Sequence, residues 1–213
     1  MLLPASLHTR KPEKRAVDVP LTSMDFDSTG ALTLLNGIIP GDGLQNRQGR
    51  RIAMQNITLR FFINKDKGGS SPKTDFLRLV LFYDRQTNAA APSVGSVLLT
   101  NDNAGSFSTT SLSGINLSNV DRYTIIRDWQ WAIPDQVQFA TGDTASSSLA
   151  CSDIAGKKVF VNLKGLETHF NNGTAGTVAD ITSGALYLLA IGANANVDSQ
   201  WQVTFSTRIR FTD

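Results

Sequence analysis

Cysteine is nearly absent: Cys151 stands alone, so the chain closes no internal disulfide and builds no thiolate metal cluster by itself. That scarcity fits a reducing compartment. Glutamate occurs only as Glu13 and Glu167, which leaves no Glu pair for glycoside hydrolysis, with Asp pairs still open. The histidines are His8, near the start, and His169, in ETHFNNG (Glu167 to Gly173), which reads as a loop. Ser-His-Asp chemistry would need His169 and a serine that no G-x-S-x-G elbow marks. A cupin-type metal site wants several histidines and a carboxylate, and those ligands are missing. Asp25, Asp27 and Asp198 have the chemistry to hold calcium between subunits, but they are scattered. Long apolar runs are lacking too, the longest being Ala185 to Ile191, far short of the ~20 residues a membrane helix needs. The start, MLLPASLHTRK, places its apolar residues ahead of its positive charges, the reverse of a secretory signal. The expectation is a soluble chain with no membrane insertion, no cofactor and no catalytic role. Cys151, in SLACSD, has nothing nearby to lower its pKa and reads as a small packing residue.

Charge is present in balance, 20 Lys+Arg against 18 Asp+Glu over 213 residues, so net charge alone names no partner. Its placement is uneven. Arg10, Lys11, Lys14 and Arg15 face only Glu13 within residues 1–15, leaving the remainder slightly acidic. A second cationic stretch runs from Gly43 to Lys65 and holds Arg47, Arg50 and Arg51 in RQGRR. Mobile cations suffice for sequence-independent attraction to phosphates, and guanidiniums add bidentate grip. These residues are therefore the candidate nucleic-acid contacts, weighed against a solvated tail for the first group. For RQGRR the alternatives are a solvated turn or salt bridges to a neighbouring subunit. Arg60, Arg208 and Arg210 fall on polar strand faces and read as ordinary surface or interface pairing, as do Lys157 and Lys158.

Hydrophobic periodicity gives the fold class. From Trp201 to Phe211 the apolar residues hold the odd positions, and the arginines Arg208 and Arg210 hold even ones, the mark of a strand with one buried face. Ile57 to Ile63 and Lys158 to Lys164 alternate likewise. Ahead of the first of these, Ile52 and Met54 sit in the opposite phase, so a bulge is expected around Gln55-Asn56. Leu79 to Tyr83 is apolar at consecutive positions, so both its faces should be covered. Tyr123 to Ile133 and Thr182 to Ala193 read as further strands. No long segment has helical periodicity with a cap. The chain is all-β, and its long connections, above all Gln86 to Val120, suit a Greek-key or jelly-roll sandwich better than an up-and-down barrel. Inside that connection Val94 to Leu99 suits one short helix or turn, and the uncharged loop suits contact with a partner.

Taken in order, GDGLQNRQGRRIAMQNITLR (Gly41 to Arg60), LRLVLFYDRQTNAAAP (Leu77 to Pro92), NLSNVDRYTIIRDW (Asn116 to Trp129) and ITSGALYLLAIG (Ile181 to Gly192) carry a family likeness. They resemble the capsid proteins of small circular Rep-encoding single-stranded DNA viruses, whose coat is similar to that of satellite tobacco necrosis virus. The resemblance implies a single jelly-roll subunit with two antiparallel sheets, residues 16–213, behind a short basic arm, residues 1–15. It implies copies that close into a small icosahedral shell around viral nucleic acid, most simply T=1 and single-stranded DNA. Virion location, assembly inside the host cell with the nucleus as one site, and a host receptor follow from the same likeness. The arm, TRKPEKR (Thr9 to Arg15), is shorter than the family's usual Arg/Lys-rich arm. Packaging then rests on basic residues of the body, or a longer arm precedes this sequence.

Other signals have plainer readings. Trp129 and Trp131 share a strand face and suit core or intersubunit packing better than base stacking. Asp84-Arg85 marks a strand end, as a structural corner or an intersubunit salt bridge. A jelly-roll binding module that recognises a glycan or receptor through its loops is the competing hypothesis to a shell protein.

Overall fold

The computed structural model describes residues 13–65, 75–100, 109–133, 154–195 and 201–213. Nine strands and one α-helical turn form there, with two short 3-10 turns at Leu117–Asn119 and Val178–Asp180: β1 (Lys14–Asp25), β2 (Ala31–Leu34), β3 (Arg51–Lys65), β4 (Asp75–Asp84), α1 (Val94–Val97), β5 (Tyr123–Ile133), β6 (Ile154–Phe170), β7 (Ile181–Ser183), β8 (Ala185–Ile191) and β9 (Trp201–Thr212). They make two antiparallel sheets, ordered β1-β9-β3-β6-β7 and β2-β8-β4-β5. Successive strands cross repeatedly between the sheets, and the first and last strands pair with each other. This is the jelly-roll sandwich.

The alternation read in sequence sets which side of each strand is inside. On β3, Ile57, Leu59, Phe61 and Ile63 are buried, and on β9 Val203, Phe205, Ile209 and Phe211 are. The phase change appears as a register shift between Met54 and Asn56 against both neighbouring strands. Phe61 then meets Trp129 and Trp131 of β5 across the sandwich, ring centroids 5.7 and 5.9 Å apart, so both tryptophans pack between the sheets.

β4 is buried on both faces. Leu77 and Leu79 pair with Trp131 and Trp129 and share their inward face, so Val80 and Phe82 point outward, yet both are fully buried. Their cover is the chain's own loop. Val97 of α1 and the adjoining Leu98 join the core, and Arg78, itself buried, ties β4 down by donating to the carbonyls of Ser111 and Ser113. The described part of the long connection thus folds back on its own sheet, where the sequence suggested cover by a neighbour. At the far end of β4 the corner is an intrachain pair: Asp84 accepts from Arg122 at 2.8 and 2.9 Å and from the Gln86 N–H at 2.9 Å.

Two elements differ from the sequence reading. His169 lies in β6, paired with Arg51, and not in a loop. Lys164 and Gly165 take positive φ, 53° and 74°, and absorb the extra residues opposite the β3 bulge, so the strand resumes after what looks like a break. The segment from Thr182 to Ala193 is not one strand. Gly184, at φ 83°, hands the chain from β7 in one sheet to β8 in the other, and a Cβ there would collide with the Glu167 carbonyl.

Candidate nucleic-acid interface

The cations singled out in sequence separate into three groups. Arg10 and Lys11 lie outside the described residues, as do His8, Cys151 and Asp198. Lys14, Arg50 and Arg51 are exposed. Arg15 and Arg47 are buried, at 4% and 3% exposure, and each donates to backbone carbonyls inside the fold.

Arg15 stands in β1, past the start of the strand at Lys14, so the arm as read from sequence overlaps the first strand. Its guanidinium donates to the carbonyls of Gly43 (3.2 Å) and Asn46 (2.9 Å) and to Glu13 (3.0 Å), with the Asp213 carboxylate 3.6 Å away. Arg47 donates to the carbonyls of Ile38, Gly49 and Gly173 at 3.1, 2.9 and 2.9 Å, and its Cζ lies 4.3 Å from the centre of the Phe170 ring. Burial draws its pKa down, while Asp180 and Asp213 oppose that shift. Both guanidiniums therefore hold loops together through their carbonyls. Arg51 is held by Glu167 in a bidentate pair, which pulls the Glu167 carboxyl below its usual range, and His169 lies 3.4 Å from the same carboxylate. Asp27 caps a turn, accepting from Thr29 and Gly30. Among the described residues no cluster of three or more His, Cys, Asp or Glu could hold a metal ion.

A different basic surface emerges from strand pairing. Asn56 of β3 lies between Arg210 and Asn162, Thr58 between Arg208 and Phe160, and Arg60 between Ser206 and Lys158, all on the outward face of the five-stranded sheet. Lys14 joins them opposite Thr212. The acids on this face are Asp18, which is already gripped by Arg208 at 2.7 Å through both oxygens, Glu167, which is held by Arg51, and Asp25 at the far end. Arg60, Lys158, Arg210 and Lys14 are exposed around Phe160, which is itself 62% exposed, and Phe62 is 39% exposed further along. The sequence offered the clues one strand at a time, as Arg208, Arg210 and Arg60 at outward positions, but not that three strands bring them side by side.

The matching family model is that of the geminivirus coat protein/nuclear export factor BR1 family, over residues 8–213. The chain belongs to that family. No curated protein matches it. Among solved structures, one titled Desmodium yellow mottle tymovirus is 13% identical, with all of this chain and 94% of that chain covered at a TM-score of 0.34. A structure of infectious bursal disease virus, Gt strain, is 9% identical, covering 95% of this chain and 38% of that one at a TM-score of 0.25. At such scores the architecture rests on the strand order itself.

Proposed function

We propose that copies of this chain assemble into a small icosahedral shell, T=1 with about sixty copies, and enclose single-stranded nucleic acid by sequence-independent electrostatic contact. The observation that carries the nucleic-acid part is the outward face of the five-stranded sheet, where Arg60, Lys158, Arg210 and Lys14 project around exposed Phe160 with little acid to neutralise them. Phosphates supply the complementary charge, and in a closed shell this face would look inward. By charge alone Arg10, Lys11 and Arg50 are further candidates for this contact, while the guanidiniums of Arg15 and Arg47 are buried. Family membership favours a structural role over the glycan-binding alternative and over catalysis. The family's description also names a nuclear export factor.

Purified protein should elute as a species far larger than 23.0 kDa and show uniform spheres by electron microscopy. A monomer peak under every salt and pH condition overturns the shell. For the packaging surface, the combined variant Arg60→Ala, Lys158→Ala and Arg210→Ala should keep particles but lower their nucleic-acid content, read by ultraviolet absorbance. In oligonucleotide binding it should flatten the salt dependence, since each lost phosphate contact removes about 0.7 from the logarithmic slope for single strands. An unchanged slope would remove this face from the proposal.

A further inference from the structure

The basic face is not uniform. At one end it is hollowed into a concavity of about 490 Å³, a size within the range of small-ligand sites. Phe160 forms a wall, Lys14 and Arg210 supply charge, and three side-chain amides, Gln55, Asn56 and Asn162, line it beside Phe211 and Thr212. An electrostatic surface needs only cations. An exposed aromatic ring beside amide donors and acceptors is the equipment for handling an unstacked base.

The groups are positioned by the sheet. Asn56 sits directly opposite both Asn162 and Arg210, and Phe160 is two residues before Asn162 on the same strand and face, so ring, amides and guanidinium share one surface. The Asn162 side-chain oxygen accepts from the Lys164 N–H at 2.8 Å, which fixes that amide and leaves its amino group to donate. Among the described residues the Asn56 amide has no partner within the chain, so its donor and acceptor are both available. Gln55 makes only long contacts, 3.4 Å, to the Ala53 carbonyl and the Thr212 hydroxyl.

We infer that this concavity takes one nucleotide of the bound single strand, its base stacked on Phe160, its edge against the Asn56 and Asn162 amides, and its phosphate between Lys14 and Arg210. The occupant is argued from complementarity. A second copy of this chain would have to bury the cations and the open amide together with the ring, and the body outside residues 1–15 offers a net charge of only −1 for them. A side-chain amide pairs its adjacent donor and acceptor with the N6 and N7 edge of adenine, so adenine should be held best. Packaging would then combine a sequence-blind charged field with one position per subunit that responds to the base. This inference rests on the nucleic-acid reading of the same face, and its test separates the two.

The experiment is fluorescence anisotropy with full-length protein at several salt concentrations, using labelled strands of oligo-dA, oligo-dT and an abasic deoxyribose-phosphate backbone of equal length. Phe160→Ala should weaken binding to oligo-dA by roughly five- to 150-fold, the range for one lost stacked base, with the salt slope unchanged and the abasic strand unaffected. Asn56→Ala should abolish the preference for oligo-dA over oligo-dT. Phe160 is exposed, so its replacement should leave the fold intact, checked by an unchanged thermal midpoint. The pocket is refuted if Phe160→Ala weakens all three strands equally, weakens none, or instead blocks particle formation while oligonucleotide binding survives. If it is refuted while the triple arginine-lysine variant still flattens the salt slope, the electrostatic reading stands without it. If neither variant alters binding, both readings fall.

Discussion

Replacing Asp84 with alanine should be among the most damaging single changes in the chain. Its carboxylate is fully buried and accepts two bonds from Arg122, at 2.8 and 2.9 Å, and one from the Gln86 N–H at 2.9 Å. Removing one partner from a buried pair costs about 3–5 kcal/mol, because the other charge is stranded. The Arg122 side chain keeps 28% exposure, so water screens part of that loss and about 2–4 kcal/mol is the working figure. For a chain of this size that lowers the thermal midpoint by roughly 4–16 °C. Asp84→Asn, which keeps an acceptor for Gln86, should fall between the parent and Asp84→Ala. The assay is calorimetry or circular dichroism at one protein concentration and salt, since assembly shifts apparent stability. The decisive comparison is Asp84→Ala with Arg122→Met. Removing the stranded guanidinium should make the double variant more stable than Asp84→Ala alone. An Asp84→Ala midpoint within about 2 °C of the parent, below the range just worked out, would refute the reasoning. So would a double variant in which the two losses simply add.

Truncation should show where the arm ends. Deleting residues 1–12 should leave the thermal midpoint unchanged, whereas deletion through Arg15 should cost about 2–4 kcal/mol by removing the guanidinium that holds Gly43 and Asn46; equal midpoints would deny Arg15 that role. Gly184→Ala should abolish soluble protein or cost more than about 3 kcal/mol, given the positive φ and the collision with the Glu167 carbonyl; a well-folded variant would contradict the described sheet crossing. Arg51 holds the Glu167 pKa down, so the pair contributes stability above the ordinary glutamate pKa and loses it as pH falls through the lowered folded value. Arg51→Ala should therefore flatten the decline of thermal midpoint between about pH 5 and pH 3, and a superimposable pH profile would exclude the coupling.

The strands that bury one side were legible from residues alone. Alternation from Trp201 to Phe211 fixes which side chains of β9 are inside, because successive residues of a strand point to opposite faces. The bulge at Gln55 showed as a phase change for the same reason. Where a glycine interrupted the pattern, the sequence misled in two opposite ways. LKG (Leu163 to Gly165) looked like a strand end but is a bulge inside β6, and SGA (Ser183 to Ala185) looked continuous but is a change of sheet. Glycine permits both conformations, and only the partner strands select between them.

Charge clusters were legible as clusters but not as tasks. Arg47, Arg50 and Arg51 are near neighbours in sequence, yet Arg47 is buried against a carbonyl 126 residues away, Arg51 is paired with Glu167, and Arg50 is exposed. Composition and periodicity by themselves determined an all-β chain with no internal disulfide and only two histidines from which to build catalysis, because those properties depend on residue type and local spacing. Tertiary structure alone decided which arginines are spent on the fold and which project with Phe160 from one sheet face. Burial and pairing depend on what the chain brings alongside from far away, and β3, β6 and β9 meet only when the sandwich closes.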